Sequence, residues 1–272
     1  MRRLVIFAVI TLAAVTIWIS KNLHDTTPEV RHWSMSTTHL PSLKIALLSD
    51  FHFDSSQDLE TLGQLKRQLI HTRPDLILLA GDYLGDKRLY ETTSRAQIVA
   101  ALEALTYPIP AFAVLGNHDN WDDREAWLDA FAGANITLIE NRVTFFRIAN
   151  QAICIRGLGD YSSNAWRHTP IPIECVGRIL TLTHDPFGLV AATGQLETPG
   201  FAAHTHCGQI TFPWIGAPIV PTQAPLSMHC GVYTNGFPGI TSGGLGTSIL
   251  PFRFGPSTKP GWELITINDD PL

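Results

Sequence analysis

Charged residues are scarce in this chain: Asp, Glu, Lys and Arg make up only 16% of its 272 residues, against about 25% in an average globular protein. Hydrophobic residues account for 45%, which excludes a disordered protein, because such chains lack the apolar surface for a core. The 19 Lys and Arg are outnumbered by 24 Asp and Glu, and the net charge is −5. Without excess positive charge to neutralise phosphates, nucleic-acid binding is not expected.

Cysteine is also scarce. The chain contains four cysteines, which are widely spaced and include no C-x-x-C pair: Cys154, Cys175, Cys207 and Cys230. This spacing argues against a disulfide framework or a structural zinc knuckle, and it leaves the redox compartment open.

A long apolar run occurs at the start of the chain, where residues 4–19 are apolar apart from two threonines. As a helix they would span about 24 Å, slightly less than the roughly 30 Å hydrocarbon core of a bilayer. We predict that residues 1–21 form an uncleaved membrane anchor. A cleaved signal is less favoured, because no Ala-x-Ala cleavage site follows the run, and a buried core helix is the third alternative. Arg2 and Arg3 favour an outward-facing domain, but Lys21 opposes them, so the side of the membrane stays open.

The remainder of the chain has the pattern of one α/β domain. Residues 22–42 are polar, lack periodicity and are predicted to be a linker, and residues 43–272 are predicted to form the domain. Short apolar runs typical of strands alternate with helical spacing at 58–71, 94–105 and 124–131, and strand-like runs dominate after that. This order predicts a layered α/β sandwich, preceded by the one apolar N-terminal helix.

Five of the apolar runs end on side chains that can bind metal. Ligands of α/β sheets bind beyond the carboxyl ends of strands, so these side chains should converge on one cleft. A mixture of carboxylate, imidazole and amide oxygen suits divalent cations. The runs end in Asp50-Phe51-His52, in Gly81-Asp82, in Gly116-Asn117-His118-Asp119, in His184, and in His204-Thr205-His206.

Each motif taken alone has an ordinary structural explanation, such as a turn, a helix cap or a pair of solvated histidines. On extended backbone, both histidines of an H-x-H pair point to the same side, and so do the two side chains of a D-x-H pair. Gly81 and Gly116 would let the backbone turn sharply beside a metal or phosphate. The joint order of the five motifs therefore favours a metal site over five unrelated turns.

This order resembles that of the calcineurin-like metallophosphoesterase family, whose motifs run D-x-H, G-D, G-N-H-[DE], H and G-H-x-H. The resemblance covers about residues 43–267. Residues 241–267 are similar to the C-terminal end of a membrane-anchored bacterial branch, which includes phosphodiesterase-like and UDP-2,3-diacylglucosamine pyrophosphatase-like members. Ala203 and Cys207 stand where the family has glycines, and Phe51 and Phe53 flank His52 where the branch often has leucine. No departure removes a metal ligand.

The resemblance implies an α-β-β-α sandwich and a dinuclear metal site. In that site Asp50, His52 and His206 bind the first metal, Asp82 bridges both ions, and Asn117, His184 and His204 bind the second. Mn²⁺ is the favoured metal, with Fe or Zn as alternatives, and a water between the two ions would be the nucleophile.

Two further residues receive a catalytic role from the resemblance. His118 would stabilise the transition state or protonate the leaving oxygen. Asp119 would orient His118, although a helix-capping role fits it equally well. Cys207 is assigned to packing rather than to metal binding, because adjacent residues on extended backbone point to opposite sides.

The substrate is indicated by an apolar stretch after the H-x-H pair. Between Ile179 and Phe252 only Asp185 and Glu197 are charged, and apolar side chains crowd a proline-rich loop: Phe212, Trp214, Ile215, Ile219, Val220 and Leu226. The loop either packs on the core or forms an apolar lip beside the metals.

With the N-terminal anchor, an apolar lip favours a lipid-linked phosphodiester or pyrophosphate as substrate. The resemblance suggests UDP-2,3-diacylglucosamine, an intermediate of lipid A synthesis whose cytoplasmic location conflicts with the two N-terminal arginines. Alternatives are a cell-envelope or nucleotide phosphodiesterase, and a non-catalytic scaffold with the same fold. We expect a monomer at the cell membrane.

Overall fold

The computed structural model describes residues 11–12, 16–21, 23, 27–37, 40–54, 62–85, 94–148, 151–192, 199–234 and 237–269. These residues form a mixed α/β domain with two six-stranded sheets. In chain order the elements are β1 (Glu29–Thr37), β2 (Leu43–Leu48), α1 (Leu62–Thr72), β3 (Leu76–Leu79), α2 (Arg95–Thr106), β4 (Ala111–Ala113), α3 (Asn117–Ala132), β5 (Ile136–Leu138), β6 (Arg142–Ile148), β7 (Gln151–Gly157), β8 (Ile179–Leu182), α4 (Phe187–Ala191), β9 (Gly200–Ala202), β10 (Gly231–Tyr233), β11 (Gly239–Thr241) and β12 (Gly261–Asp269).

The first sheet has the order β1-β12-β2-β3-β4-β5. Strands β2 to β5 are parallel, and helices α1, α2 and α3 connect them in turn. The second sheet has the order β10-β11-β9-β8-β7-β6, in which β7, β8, β9 and β11 are parallel. Parallel strands place their carboxyl ends at one edge of a sheet, so each sheet offers one edge for polar side chains.

The core lies in layers, and the alternation of side chains along the strands creates them. Ile45 and Leu47 of β2 pack between the sheets with Leu180 and Leu182 of β8. The intervening β2 residues face outwards, where the buried sides of α1, α2 and α3 cover the first sheet. Leu189 of α4 packs on the outer face of the second sheet. The predicted α-β-β-α layering therefore corresponds to the arrangement of the described residues.

Strand β1 lies inside the segment 22–42, which the sequence pattern assigned to a linker. It pairs in parallel with β12 from Glu29 to Thr37. Its polar composition suits an edge strand held by side-chain hydrogen bonds: Arg31 Nε donates to Glu263 Oε1 at 2.9 Å, and Trp33 Nε1 donates to Glu263 Oε2 at 2.7 Å. The folded domain thus includes residues that apolar periodicity could not identify.

All four cysteines form disulfides, so the prediction against disulfide bonds was wrong. Cys154 on β7 is bonded to Cys175, and Cys207 is bonded to Cys230, with Cα–Cα distances of 5.7 and 4.8 Å. The bonded pairs are 21 and 23 residues apart, and only the fold brings them together. Cys207 therefore has a covalent role, rather than the packing role assigned to it.

The predicted N-terminal anchor falls mostly on residues outside the described part of the chain. Among the residues that are described, no helix is both long and apolar enough to cross a bilayer. Residues 16–21 are helical, and the ring of Trp18 lies 5.1 Å from that of Phe254. The N-terminal apolar helix is therefore not confirmed and stays a proposal.

Candidate metal centre

The seven predicted metal ligands converge at the carboxyl edges of the two facing sheets. Strands β2, β3 and β4 of the first sheet lead into this region, and β8 and β9 enter it from the second sheet. No ligand side chain belongs to a residue more than 8% exposed: Asp50, His52, Asp82, Asn117, His184, His204 and His206. Burial of so many polar and charged groups costs free energy unless each of them has a hydrogen-bond partner, an opposite charge or a bound metal.

The backbone at these positions is not extended, contrary to the reasoning from the sequence. Five of the seven residues have a positive φ: Asp50 50°, His52 48°, Asp82 54°, His204 71° and His206 51°. A non-glycine residue rarely adopts this left-handed region, which carries strain and is commonest at functional sites. Sharp turns after the strands, rather than strand alternation, therefore direct the D-x-H and H-x-H side chains into one place.

Two glycines allow the loops after β3 and β4 to touch. A Cβ on Gly81 would lie 2.4 Å from the backbone nitrogen of Gly116, and one on Gly116 would lie 2.1 Å from Asp82 Oδ1. Both separations are far below van der Waals contact. The glycines of the G-D and G-N-H-D motifs thus bring Asp82 against the first turn of α3, where the backbone N–H of His118 donates to Asp82 Oδ1 at 2.9 Å.

Four of the side chains direct possible metal-ligand atoms towards one another. Nδ1 of His184 lies 2.6 Å from the carbonyl oxygen of Ala80, and a carbonyl only accepts, so Nδ1 carries a proton and Nε2 is the nitrogen available to a metal in the neutral ring. That Nε2 lies 3.0 Å from Asn117 Oδ1, 3.3 Å from Asp82 Oδ2 and 3.2 Å from His204 Nδ1. Although burial opposes it, the Asp82 carboxylate raises the pKa of His184 well above its ordinary value, so Nε2 is protonated when no metal is bound. A cation at this position would take the place of that proton.

His204 has its tautomer fixed in the same way. Its Nε2 is hydrogen-bonded to the carbonyl oxygen of Pro221, so the Nδ1 that faces His184 is unprotonated in the neutral ring. Hydrogen bonds of this kind hold metal-binding histidines in the required orientation. The cluster of Asp82, Asn117, His184 and His204 therefore has the donor set and the orientation for one divalent cation.

A second cluster consists of Asp50, His52 and His206. His52 Nε2 lies 3.1 Å from His206 Nε2, and Asp50 Oδ1 lies 3.5 Å from the same nitrogen. Asp50 is fully buried, yet neither of its carboxylate oxygens has a hydrogen-bond partner among the described residues. An unpaired buried carboxylate is costly, and a bound cation supplies the missing partner.

Asp82 lies between the two clusters. Its Oδ2 is 3.6 Å from His52 Nε2 and 3.3 Å from His184 Nε2. Three overlapping groups of possible ligands have their atoms within 4.8 Å of one another: Asp50, His52 and His206; His52, Asp82 and His118; and Asp82, His184 and His204. This arrangement accommodates two neighbouring cations with one carboxylate between them.

Burial and charge set the protonation of these groups. Burial lowers the pKa of His52 to about 3, and burial together with Arg253 lowers that of His206 well below its ordinary value. Both rings are therefore neutral at pH 7. Although burial opposes ionisation, His184 and His118 hold the pKa of Asp82 well below its usual range. Neutral imidazoles around an ionised carboxylate are the forms that bind metal.

His118 lies beside both clusters and on the wall of a cavity. Its ring centroid is 4.7 Å from that of His52 and 5.8 Å from that of Trp121. The cavity has a volume of about 1070 Å³, and its wall includes Asp82, His118 and His204. His118 is thus the partly exposed member of the group and can reach a molecule that enters the cavity.

Asp119 does not hydrogen-bond to His118; it holds the backbone instead. Its Oδ1 accepts from the N–H groups of Tyr83 and Leu84 at 3.0 and 3.2 Å. Its Oδ2 accepts from those of Asp82 and Gly116, both at 2.9 Å. The bond to Gly116, which precedes α3, is the return half of a capping box. Of the two roles considered from the sequence, the geometry matches capping.

Asp119→Ala is expected to destabilise the domain, because four backbone donors lose their buried acceptor. One orphaned donor costs about 1–3 kcal/mol, so we expect a loss of about 3 kcal/mol or more, or roughly 6–12 °C in Tm. Calorimetry measures the change. Asp129→Ala, at an exposed position of the same helix, is the control and should leave Tm unchanged. An unchanged Tm in Asp119→Ala would contradict the capping role.

Arg253 is a residue of this site that sequence reasoning missed. It is 1% exposed, and its Nη2 lies 3.0 Å from His206 Nδ1. Its Nη1 donates to the carbonyl oxygen of Gly243 at 2.8 Å, and its Nε donates to that of Gly246 at 2.9 Å. It therefore fixes the His206 ring and the 243–246 loop together. The sequence offers one indication of its importance: Arg253 is the first charged residue after the uncharged stretch 198–252.

The fold and the site together define a class of protein: an α/β metal-binding protein whose Asp, His and Asn side chains line a cavity at the carboxyl edges of two facing sheets. Residues 43–207 match the family model of the calcineurin-like phosphoesterase, which is more than half of the chain. The chain belongs to this family, whose members use divalent metals, and it is a hydrolase that acts on phosphoester bonds.

Relatives with known names agree with this assignment. The chain is 27% identical to phosphodiesterase YaeI of Escherichia coli over 183 residues, covering 66% of each protein. It is 24% identical to the uncharacterized metallophosphoesterase YkuE of Bacillus subtilis over 255 residues, covering 92% of this chain and 87% of that protein. It is 30% identical to UDP-2,3-diacylglucosamine pyrophosphatase LpxG of Chlamydia muridarum over 81 residues, which are 30% of this chain and 24% of that protein.

Proposed function

We propose that the chain is a dinuclear metal-dependent enzyme that hydrolyses a phosphodiester or pyrophosphate bond. The observation that carries the proposal is the convergence of buried ligand atoms of Asp50, Asp82 and His184, among which neither Asp50 oxygen has a hydrogen-bond partner in the described residues. Asp50, His52 and His206 would hold one cation, Asn117, His184 and His204 the other, and Asp82 both. Such a set of buried ligands has no use in a non-catalytic scaffold.

Two divalent cations in this site would polarise the phosphoryl group and lower the pKa of a water so that it can attack phosphorus. The chain's own residues supply the remaining functions. His118 faces the cavity and is placed to give a proton to the leaving oxygen. Its backbone N–H already bonds to Asp82, so its position relative to that carboxylate is fixed. Burial of the cluster excludes bulk water from the reacting groups, apart from the attacking water itself.

Mn²⁺ is the proposed metal, with Fe or Zn as alternatives. Imidazole nitrogen together with carboxylate and amide oxygen accommodates all three, and availability in the cell decides among them. The geometry favours none of the three.

A lipid-linked substrate is supported by apolar residues in the wall of the cavity. They include Ile210, Ile219, Ile249 and Leu250. An acyl chain could lie there while the phosphate group reaches the metals. The apolar run at residues 4–19 supports membrane anchoring of the chain, which would keep the enzyme near such substrates.

The resemblance to LpxG makes UDP-2,3-diacylglucosamine one candidate substrate. The two disulfides favour a second candidate, a phosphodiester of the cell envelope. Disulfides persist in oxidising compartments and are rare in the cytosol, and Arg2 and Arg3 also favour an outward-facing domain. Of the two, the envelope substrate agrees better with these observations, since UDP-2,3-diacylglucosamine faces the cytoplasm.

Mass spectrometry of reaction products decides among these substrates. The full chain is incubated with UDP-2,3-diacylglucosamine, with acylated envelope phosphodiesters and with cyclic and linear nucleotide phosphodiesters. We expect metal-dependent cleavage of an acylated substrate at a rate above that of the nucleotides. Preferential cleavage of nucleotides would overturn the lipid assignment and leave the phosphoesterase assignment intact.

A further inference from the structure

An exposed apolar surface surrounds the mouth of the metal-site cavity. Trp214 is fully exposed, and Ile215, Ile219 and Ile249 each expose more than 70% of their surface. The 212–219 part of the 212–226 loop therefore forms a lip, while Ala224 holds the end of the loop in the core. We call this surface the apolar rim, and it comprises Phe212, Trp214, Ile215, Ile219, Leu226, Ile249, Leu250 and Phe252.

The rim contains no charged side chain, and neither does the chain around it. Residues 198–252 include no Asp, Glu, Lys or Arg. Contact of this segment with an apolar phase would therefore require no desolvation of charged side chains of its own, which is the main cost of such a contact. Exposed apolar patches of this kind mark sites that bind proteins, ligands or membranes.

The position of the N-terminal segment indicates that a membrane, rather than a protein or a small ligand, covers the rim. The ring of Trp18 lies 5.1 Å from that of Phe254, and Leu23 forms an isolated β-bridge with the same residue. The ring of Phe254 lies 6.0 Å from that of Phe212 on the rim. The chain that follows the apolar residues 4–19 thus arrives beside the rim. A bilayer that holds those residues would also face the mouth of the cavity.

We propose that the apolar rim docks on a lipid bilayer, so that the cavity opens into the membrane surface. This inference rests on the proposed function and adds the route by which substrate enters. A lipid-linked phosphodiester would pass from the bilayer along Ile219, Ile249 and Leu250 to the metals, without its acyl chains crossing water. Trp214 at the tip of the loop has the amphipathic ring that favours the membrane interface.

The test compares two substrates with the same leaving group: water-soluble bis-p-nitrophenyl phosphate, and hexadecyl p-nitrophenyl phosphate embedded in phosphatidylcholine vesicles. In the full-length chain, Trp214→Ser combined with Ile215→Ser should lower kcat/KM on the embedded diester about ten- to thirty-fold. Hydrolysis of the soluble diester should be unchanged, because neither residue lines the cavity. Trp214→Phe with Ile215 retained should preserve activity on the embedded substrate.

Ile173→Ser is the matched control. Ile173 is 86% exposed and precedes the amino end of β8, whereas the metal cluster lies beyond the carboxyl end of that strand. This variant should hydrolyse both diesters at the original rate.

Each contrary outcome has a separate meaning. An unchanged rate on the embedded diester in the double variant would overturn the docking inference, as would equal loss on both substrates with a lower Tm. A dimer that the double variant converts to a monomer would show that the rim binds a second copy, and it would also overturn docking. If the unaltered chain hydrolyses neither diester, the proposed function itself fails.

Discussion

Asp82→Ala is expected to release the bound metal and abolish hydrolysis of bis-p-nitrophenyl phosphate. Asp82 Oδ2 lies within 3.6 Å of His52 Nε2 and within 3.3 Å of His184 Nε2, so its loss removes a ligand from both clusters. The substitution also removes a negative charge beside the remaining histidines. Without that charge, the site attracts a cation less strongly. Metal content by plasma mass spectrometry and kcat/KM on the same sample measure the effect.

The controls for Asp82→Ala separate metal loss from unfolding. Asp82→Asn keeps the shape of the side chain and one oxygen, and we expect it to bind metal weakly but to remain folded by circular dichroism. Asp129→Ala removes an exposed carboxylate on α3 and should change neither metal content nor rate. Full metal content in a folded Asp82→Ala variant would show that this carboxylate is not shared between cations.

His118→Ala should retain both metals and lower kcat about 10²- to 10⁴-fold, the usual contribution of a general acid or base. The reason is geometric: the side chain lies on the cavity wall, whereas its backbone N–H, which the substitution keeps, makes the bond to Asp82. The readouts are metal content and kcat. A substrate whose leaving group needs no protonation, such as a p-nitrophenyl ester, should suffer less than an alkyl ester.

The contrary result for His118 is well defined. One of its ring nitrogens lies within 4.8 Å of ligand atoms of His52 and Asp82, which is close enough for a shared cation. If His118→Ala loses metal as completely as Asp82→Ala does, His118 is a ligand and the proposed division of roles is wrong. Asp119→Ala provides a further comparison with His118→Ala, because the expected effect of Asp119→Ala is a lower Tm rather than a lower kcat.

The convergence of the seven predicted ligands could be predicted from the sequence because they follow five apolar strands. Strands β2, β3, β4, β8 and β9 are apolar runs bounded by polar residues, and parallel pairing then brings their carboxyl ends together. The location of Asp50, Asp82 and His184 is thus a consequence of local pattern and one topological rule. The reason given for the side-chain directions was wrong, because left-handed turns at Asp50 and His206 are invisible to a strand-alternation argument.

Features that depend on contacts between distant residues could not be predicted in this way. Strand β1 is polar and is held by Glu263 from the far end of the chain. The Cys154–Cys175 and Cys207–Cys230 bonds join segments of the chain that only the fold brings together. Arg253 reaches His206 across 47 positions of sequence. In each case the two residues in contact are distant in the chain, and neither hydrophobic periodicity nor motif spacing predicts such a contact.

We propose that hydrolysis of phosphodiesters requires two divalent cations, which side chains at the strand ends hold. The most direct measurement is metal content of the purified full-length chain, followed on the same sample by activity before and after chelation. We predict about two equivalents of metal per chain, in line with other dinuclear hydrolases. Chelation should remove activity on bis-p-nitrophenyl phosphate, and Mn²⁺ should restore it. Full activity in a sample stripped of metal would contradict the account.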